Sequence, residues 1–159
     1  LYNSLAHRTT WLRSDFFQVI HLCGKGKVDE AYQNLKGYVQ YEYIKKELAD
    51  LFAASDLVIS RAGANAICEI SALHKPNLLI PLSAKASRGD QILNARSFQK
   101  QGYSMVLEEE EITSQSLLNA IHELYANRDS YVKAMESSAH FDAISKIVGL
   151  IEDCASSSK

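Results

Sequence analysis

Short apolar runs alternate with amphipathic stretches along most of the chain. Leu57–Ile59 is a continuous apolar run, and Asn77–Leu82 is apolar after its first residue, which is typical of strands buried on both faces of a parallel sheet. With them, the segments that predict strands are 16–22, 38–44, 57–59, 77–82 and 104–107. The segments that predict helices are 28–35, 46–55, 65–73, 90–101, 113–126, 129–138 and 141–154. Strands that alternate with helices indicate an α/β fold with a Rossmann-like, doubly wound parallel sheet.

This fold class also predicts where a ligand would bind. In doubly wound sheets ligands bind beyond the carboxyl ends of the strands. The loops that leave those ends are 23–27, 44–46, 60–65 and 83–91, and all four should open on the same edge of the sheet. Glycine turns, arginines and amide side chains concentrate in these loops. The sequence therefore predicts a ligand site at this edge.

The segment from Asp56 to Ile70 combines a strand, a turn of small residues and a helix N-terminus. The turn around Gly63 carries no bulky side chain, so its backbone can approach a ligand closely. Unpaired N–H groups and the helix dipole make such a helix start a cradle for phosphate. Asn65 and Glu69 share one face of the helix, and Glu69 could accept two hydrogen bonds from a diol such as a ribose. The alternative is an ordinary βαβ unit in which Gly63 serves only close packing, because neither G-x-G-x-x-G nor a P-loop lysine is present.

Composition narrows the class of function. The chain of 159 residues carries a net charge of −2, which argues against a general nucleic-acid-binding protein. No apolar run reaches the roughly 20 residues that cross a bilayer, and the N-terminal stretch lacks the apolar segment of a signal peptide. Three dispersed cysteines without C-x-x-C predict a reducing, cytoplasmic setting. The spacing of the five histidines gives no metal site.

The length predicts one domain, residues 1–154, followed by a serine-rich tail at 155–159 that we expect to be disordered. The chain opens without Met inside a helix-like stretch at Leu5–Leu12, which suggests a piece of a longer protein. The run Glu108–Glu111 is expected to be a solvated acidic surface.

Several motifs together resemble one enzyme family. SRAGANAICEISALHKPNLLIPL and SRGDQILNARSFQKQGYSMVL, preceded by HLCGKG and YVQYEYIKKELADLFAASD, resemble the C-terminal half of the MurG glycosyltransferases over residues 16–154. The resemblance implies the donor-binding domain of a two-domain GT-B enzyme, truncated at its N-terminal edge so that the first strand and its glycine-serine loop are missing. It implies that the full-length enzyme transfers N-acetylglucosamine, with inversion, from UDP-N-acetylglucosamine to the lipid-linked peptidoglycan precursor.

The resemblance also implies a role for individual residues in binding the donor. The backbone of Ile44 and Lys45 would face the uracil, Glu69 would hold the ribose hydroxyls, and Arg61 would border the donor. The amides expected at the diphosphate belong to Gly63, Ala64, Asn65 and Ala66, with the Cys23–Gly24 turn nearby.

At the sugar, Asp90 and Gln91 would contact hydroxyls, and Asn94 would support their helix. Asp90 stands where the family often has a glutamine, which leaves an acceptor only.

The resemblance implies no catalytic residue in this piece, so it should be inactive alone. No metal or other cofactor is expected, because the chain has no Asp-x-Asp and helix amides could replace a metal clamp. The expected partners are UDP-N-acetylglucosamine and, through the missing N-terminal domain, the lipid-linked acceptor. The full-length protein would be peripheral on the inner face of the cell membrane. The alternatives are the donor-binding domain of another GT-B enzyme, or a non-catalytic donor-binding subunit.

Overall fold

The computed structural model describes residues 17–84, 86 and 88–138. The helices expected at Leu5–Leu12 and 141–154, and the tail at 155–159, lie outside the described residues. The described strands are β1 (Val19–Leu22), β2 (Tyr38–Tyr41), β3 (Val58–Ser60), β4 (Asn77–Leu79) and β5 (Met105–Val106). The described α-helices are α1 (Leu48–Ala54), α2 (Ala64–Ala72), α3 (Asp90–Lys100), α4 (Ser114–Ala126) and α5 (Arg128–Glu136). Single turns of 3-10 helix occur at Glu30–Tyr32 and Glu109–Glu111.

All strand pairs are parallel, but they form two sets. β1 pairs with β2, and β3, β4 and β5 pair in that order. The sequence predicts one continuous sheet, and within the described residues the structure differs on this point. A doubly wound sheet of order 3-2-1-4-5-6 places its first strand between the second and the fourth. The boundary between the two described sets falls where that order has its first strand.

Helices cover both faces of β4, which is buried along its whole length. Leu78 and Ile80 face a core formed mainly by Leu117, Ile121 and Leu124 of α4. Leu79 points the other way, toward a second core built from α2 and α3. This alternation arises because successive side chains of a strand point to opposite faces. Helices on both faces of parallel strands confirm the predicted doubly wound α/β class.

The helix α4 begins at a complete capping box. The Thr113 hydroxyl accepts a hydrogen bond from Ser116 N at 2.9 Å, and the Ser116 hydroxyl accepts one from Thr113 N at 2.8 Å. Two of the amides at this helix start therefore have partners. The cap fixes where α4 begins and hence which of its residues face β4.

The helix predicted at Val28–Leu35 is wrong beyond a single 3-10 turn at Glu30–Tyr32. The Gln40 side chain accepts from Asp29 N at 3.2 Å and donates to Asp29 O at 2.9 Å. These bonds tie the residue that precedes the 3-10 turn to β2. The described helices include none long and apolar enough to cross a membrane.

Candidate functional site

The N-terminus of α2 presents free backbone amides at the carboxyl edge of β3. Gly63 is the N-cap residue and has extended dihedral angles, with φ −70° and ψ 138°. The first-turn N–H groups of Ala64, Asn65 and Ala66 have no acceptor among the described residues. Ala64 and Asn65 are exposed, whereas Ala62 beneath them is fully buried. This geometry is typical of an anion-binding site at a helix N-terminus, here preceded by a fully buried residue.

Gly63 itself has open space beside it. A Cβ atom built at this position would meet nothing within 4 Å, and its φ of −70° suits any residue. Neither packing nor backbone conformation therefore requires glycine here, which contradicts the alternative that Gly63 serves only close packing. A glycine that the fold does not need leaves room for a ligand to approach the backbone.

Glu69 lies one turn further along the exposed face of α2. Its side chain is exposed, and it has no hydrogen-bonded or ionic partner within the described part of the chain. Asn65, four residues earlier, is exposed on the same face. The structure thus keeps this carboxylate available next to the free amides.

Two amide side chains attach α3 to the neighbouring loops. The Gln91 side-chain oxygen accepts from Leu82 N at 3.1 Å, and Asn94 Nδ2 donates to Ala62 O at 3.2 Å. Asn94 therefore ties α3 to the turn that leads into α2, and the support expected for its own helix stays a prediction. Asp90 is exposed at the first position of α3, directly after Gly89, whose φ of 86° favours glycine.

Arg61 lies at the same edge, but its guanidinium is engaged by protein atoms. Nη1 donates to Ile80 O at 3.2 Å and to Pro81 O at 3.3 Å. Nη2 forms an ion pair with Glu109 Oε1 at 3.2 Å. The predicted role beside the donor stays a prediction, and the charge of Arg61 is largely neutralised by Glu109.

Glu109 is the residue of this edge that the sequence reasoning missed. It was expected in a solvated acidic run, yet its side chain is 23% exposed and Oε2 accepts from Ser83 N at 2.9 Å. Partial burial by itself would raise the pKa of this carboxyl. The Ser83 hydrogen bond and the Arg61 guanidinium outweigh burial and lower the pKa. The available signal was position, because Glu109 follows β5 at the edge where the predicted loops meet.

The turn after β1 is tied to β2 through its backbone. Cys23 N donates to Tyr41 O at 2.9 Å, and Gly24 N donates to Glu42 O at 3.1 Å. Gly26 N donates to the Glu42 carboxylate at 2.7 Å. Because these amides are occupied, any phosphate contact from the turn needs other groups, and its role stays a prediction.

The predicted uracil segment lies in the loop after β2. Ile44 is half-buried there and Lys45 is exposed. The described residues contain no group of three or more histidine, cysteine, aspartate or glutamate side chains arranged to hold a metal ion.

Comparison with known proteins agrees with this architecture. The family model of the glycosyltransferase family 28 C-terminal domain matches residues 2–149. The chain belongs to this family. This family 28 domain is 64% identical over 137 residues to the UDP-N-acetylglucosamine--N-acetylmuramyl-(pentapeptide) pyrophosphoryl-undecaprenol N-acetylglucosamine transferase of Lachnoclostridium phytofermentans, covering 86% of the chain and 39% of the relative. The equally named protein of Geobacillus thermodenitrificans is 58% identical over 139 residues, covering 87% of the chain and 39% of the relative.

Solved structures show the same fold at lower identity. MurG of Acinetobacter baumannii superimposes with a TM-score of 0.63 at 23% identity, covering 83% of this family 28 domain and 41% of that chain. A glycosyltransferase of kitacinnamycin superimposes with a TM-score of 0.69 at 16% identity, covering 85% and 33% respectively. The domain thus spans about two fifths of the length of the curated relatives it matches.

Proposed function

We propose that this domain binds UDP-N-acetylglucosamine for an inverting glycosyltransferase that adds N-acetylglucosamine to the lipid-linked peptidoglycan precursor. The observation that carries the proposal is the start of α2, where free amides stand beside the exposed carboxylate of Glu69. The amides suit a diphosphate and the carboxylate suits a ribose diol. The names of the relatives, which are 58% to 64% identical, support the choice of sugar nucleotide.

The chemistry that this site would supply is stabilisation of the leaving group. When the sugar is transferred, negative charge grows on the departing UDP. The three first-turn amides of α2 and the positive end of its dipole would meet that charge. Arg61 would contribute little, because Glu109 already holds its guanidinium. We propose that this domain needs no metal for donor binding, since the helix start supplies the positive potential.

The acceptor, the catalytic base and the attachment to the inner face of the membrane would belong to the rest of the full-length enzyme. The chain spans only 39% of its relatives, and the proposed donor residues account for one substrate. The chain alone should therefore bind the donor without transferring the sugar.

Calorimetry with UDP, together with a transfer assay, tests the proposal. The unmodified chain should bind UDP and show no turnover, while ADP serves as the control nucleotide. Gly63→Val is the sharpest variant, because its side chain enters open space in the protein but occupies the approach to the amides. It should lower the melting temperature by only a few degrees, because valine is a poorer N-cap than glycine, and it should lose UDP binding. Unchanged UDP binding in Gly63→Val would contradict the assignment of the phosphate site. Turnover by the chain alone would contradict the proposal that catalysis needs the rest of the full-length enzyme.

A further inference from the structure

The loop that follows β4, residues Ile80–Ser83, is held mainly by side chains, although Ser83 O also accepts from Ala86 N at 2.9 Å. The strand ladder ends with Ile80 N, which donates to Ser60 O at 2.8 Å. Beyond that bond the loop continues through buried Pro81, which has no N–H to donate. Buried backbone groups need hydrogen-bond partners, so the remaining polar groups of this loop must find them outside the sheet.

Arg61 and Glu109 supply most of those partners. Arg61 Nη1 donates to two successive carbonyls of the loop, Ile80 O at 3.2 Å and Pro81 O at 3.3 Å. Glu109 accepts from Ser83 N at 2.9 Å and pairs with Arg61 at 3.2 Å. The two side chains are 22% and 23% exposed, so their hydrogen bonds are partly shielded from water. The pair therefore fixes the loop from the segments that follow β3 and β5.

The same loop also orients the side chain of Gln91, the second residue of α3. Leu82 N, between the groups held by Arg61 and Glu109, donates to the Gln91 side-chain oxygen at 3.1 Å. That bond turns the amide oxygen toward the loop and leaves the Nε2 group on the other side. Nε2 has no acceptor in the described part of the chain. Gln91 thus presents a hydrogen-bond donor whose direction depends on the position of Leu82.

We propose that Arg61 and Glu109 are positioning residues that fix the β4 loop and thereby aim the Gln91 amide at a hydroxyl of the donor sugar. This inference rests on the proposed function, because it assumes a UDP-sugar at the start of α2. It assigns a role in sugar recognition to Glu109, which is not among the residues proposed to bind the nucleotide. The nucleotide itself is held by α2, so the effect of Glu109 should be confined to the sugar.

The test uses Glu109→Gln, which removes the charge but keeps the size, and Glu110→Gln as the matched control at the exposed neighbour. Hydrogen exchange of the Leu82 and Ser83 amides is measured by NMR, and calorimetry compares UDP with UDP-N-acetylglucosamine. In Glu109→Gln the neutral amide oxygen is a weaker acceptor than the carboxylate and the ion pair with Arg61 is lost, so the Ser83 amide should exchange about three- to tenfold faster. Affinity for UDP-N-acetylglucosamine should fall about three- to tenfold, while affinity for UDP changes by less than about twofold. Glu110→Gln should alter neither.

A double-mutant cycle between Glu109→Gln and Gln91→Ala measures whether the two residues act on the sugar together. In the Gln91→Ala background, Glu109→Gln should cause no further loss of sugar affinity, because the group it positions is gone. If Glu109→Gln does not fold, Glu109→Asp keeps the charge, reaches less far and should show the same selective loss in weaker form. Equal losses for UDP and UDP-N-acetylglucosamine, or losses additive with Gln91→Ala, would overturn the proposal. Failure of the unmodified chain to bind UDP would instead overturn the proposed function, whereas unchanged Ser83 exchange would overturn the positioning role alone.

Discussion

Replacing Glu69 by alanine isolates the carboxylate that the structure leaves free on α2. The side chain is exposed and packs against no core residue, so the free energy of unfolding should change by less than about 0.5 kcal/mol. The change should be confined to the ligand. The proposed function gives this carboxylate two hydrogen bonds from the ribose diol.

The expected magnitude follows from those two bonds. A hydrogen bond to a charged group contributes about 1.5–3 kcal/mol, and water at an open site reduces that value. Two such bonds, even strongly reduced, should be worth at least about 1.4 kcal/mol, which is a tenfold loss of UDP affinity. The variant should also discriminate less between UDP and its 2′-deoxy analogue, because no carboxylate senses the missing hydroxyl.

Calorimetry with both nucleotides and both proteins measures the affinity and the discrimination. Glu136→Ala is the matched control, since it removes an exposed glutamate from α5. It should leave both affinities unchanged. If Glu69→Ala binds both nucleotides as the unmodified chain does, Glu69 is an ordinary surface residue and the ribose assignment is refuted.

Three further predictions concern the N-terminal cap of α4, the loss of stability at acid pH, and the effect of magnesium on UDP affinity. Thr113→Ala removes the acceptor for Ser116 N and should cost about 0.5–2 kcal/mol of unfolding free energy, measured by denaturant titration with Ser114→Ala as control. Because folding lowers the pKa of Glu109 from its ordinary 4.5, its stabilisation is present above that pH and is lost as the pH falls through the folded value. Glu109→Gln should therefore flatten this part of the pH–stability curve, and an unchanged curve would contradict the ion pair. The affinity for UDP in the presence of magnesium should be within about twofold of the affinity in the presence of a chelator. A strong loss of affinity on chelation would refute binding by helix amides alone.

Periodicity and turn chemistry predicted most elements and the edge of the sheet at which α2 begins. The segment 78–82 is apolar because β4 and the residues after it are covered by helices on both faces, and the apolar run can be read directly from the sequence. The start of α2 was also predictable, since small residues before an amphipathic pattern mark a helix N-terminus. The family resemblance added the roles of single residues, which no pattern could supply.

Three-dimensional pairing was beyond what the sequence could show. Four consecutive glutamates at 108–111 are chemically identical, so nothing in their side chains shows that Glu109 is the one that reaches Arg61 and Ser83. The orientation of Arg61 depends on where the ladder of β4 stops, because only there do carbonyls need a donor. The break between the two strand sets depends on hydrogen bonding between segments that are distant in the sequence. The alternation of strands and helices along the chain does not predict which strands pair.

That break has a practical consequence for the chain in solution. Among the described strands, β1 pairs only with β2, and β3 only with β4, so each has one side without a strand neighbour. Open strand edges are templates on which another chain can add. Ile20 and Ile59, both more than 40% exposed, would make such addition more favourable. Self-association would remove binding-competent molecules as the protein concentration rises, so an apparent stoichiometry below one UDP per chain, recovering on dilution, would report edge pairing and not a defective site.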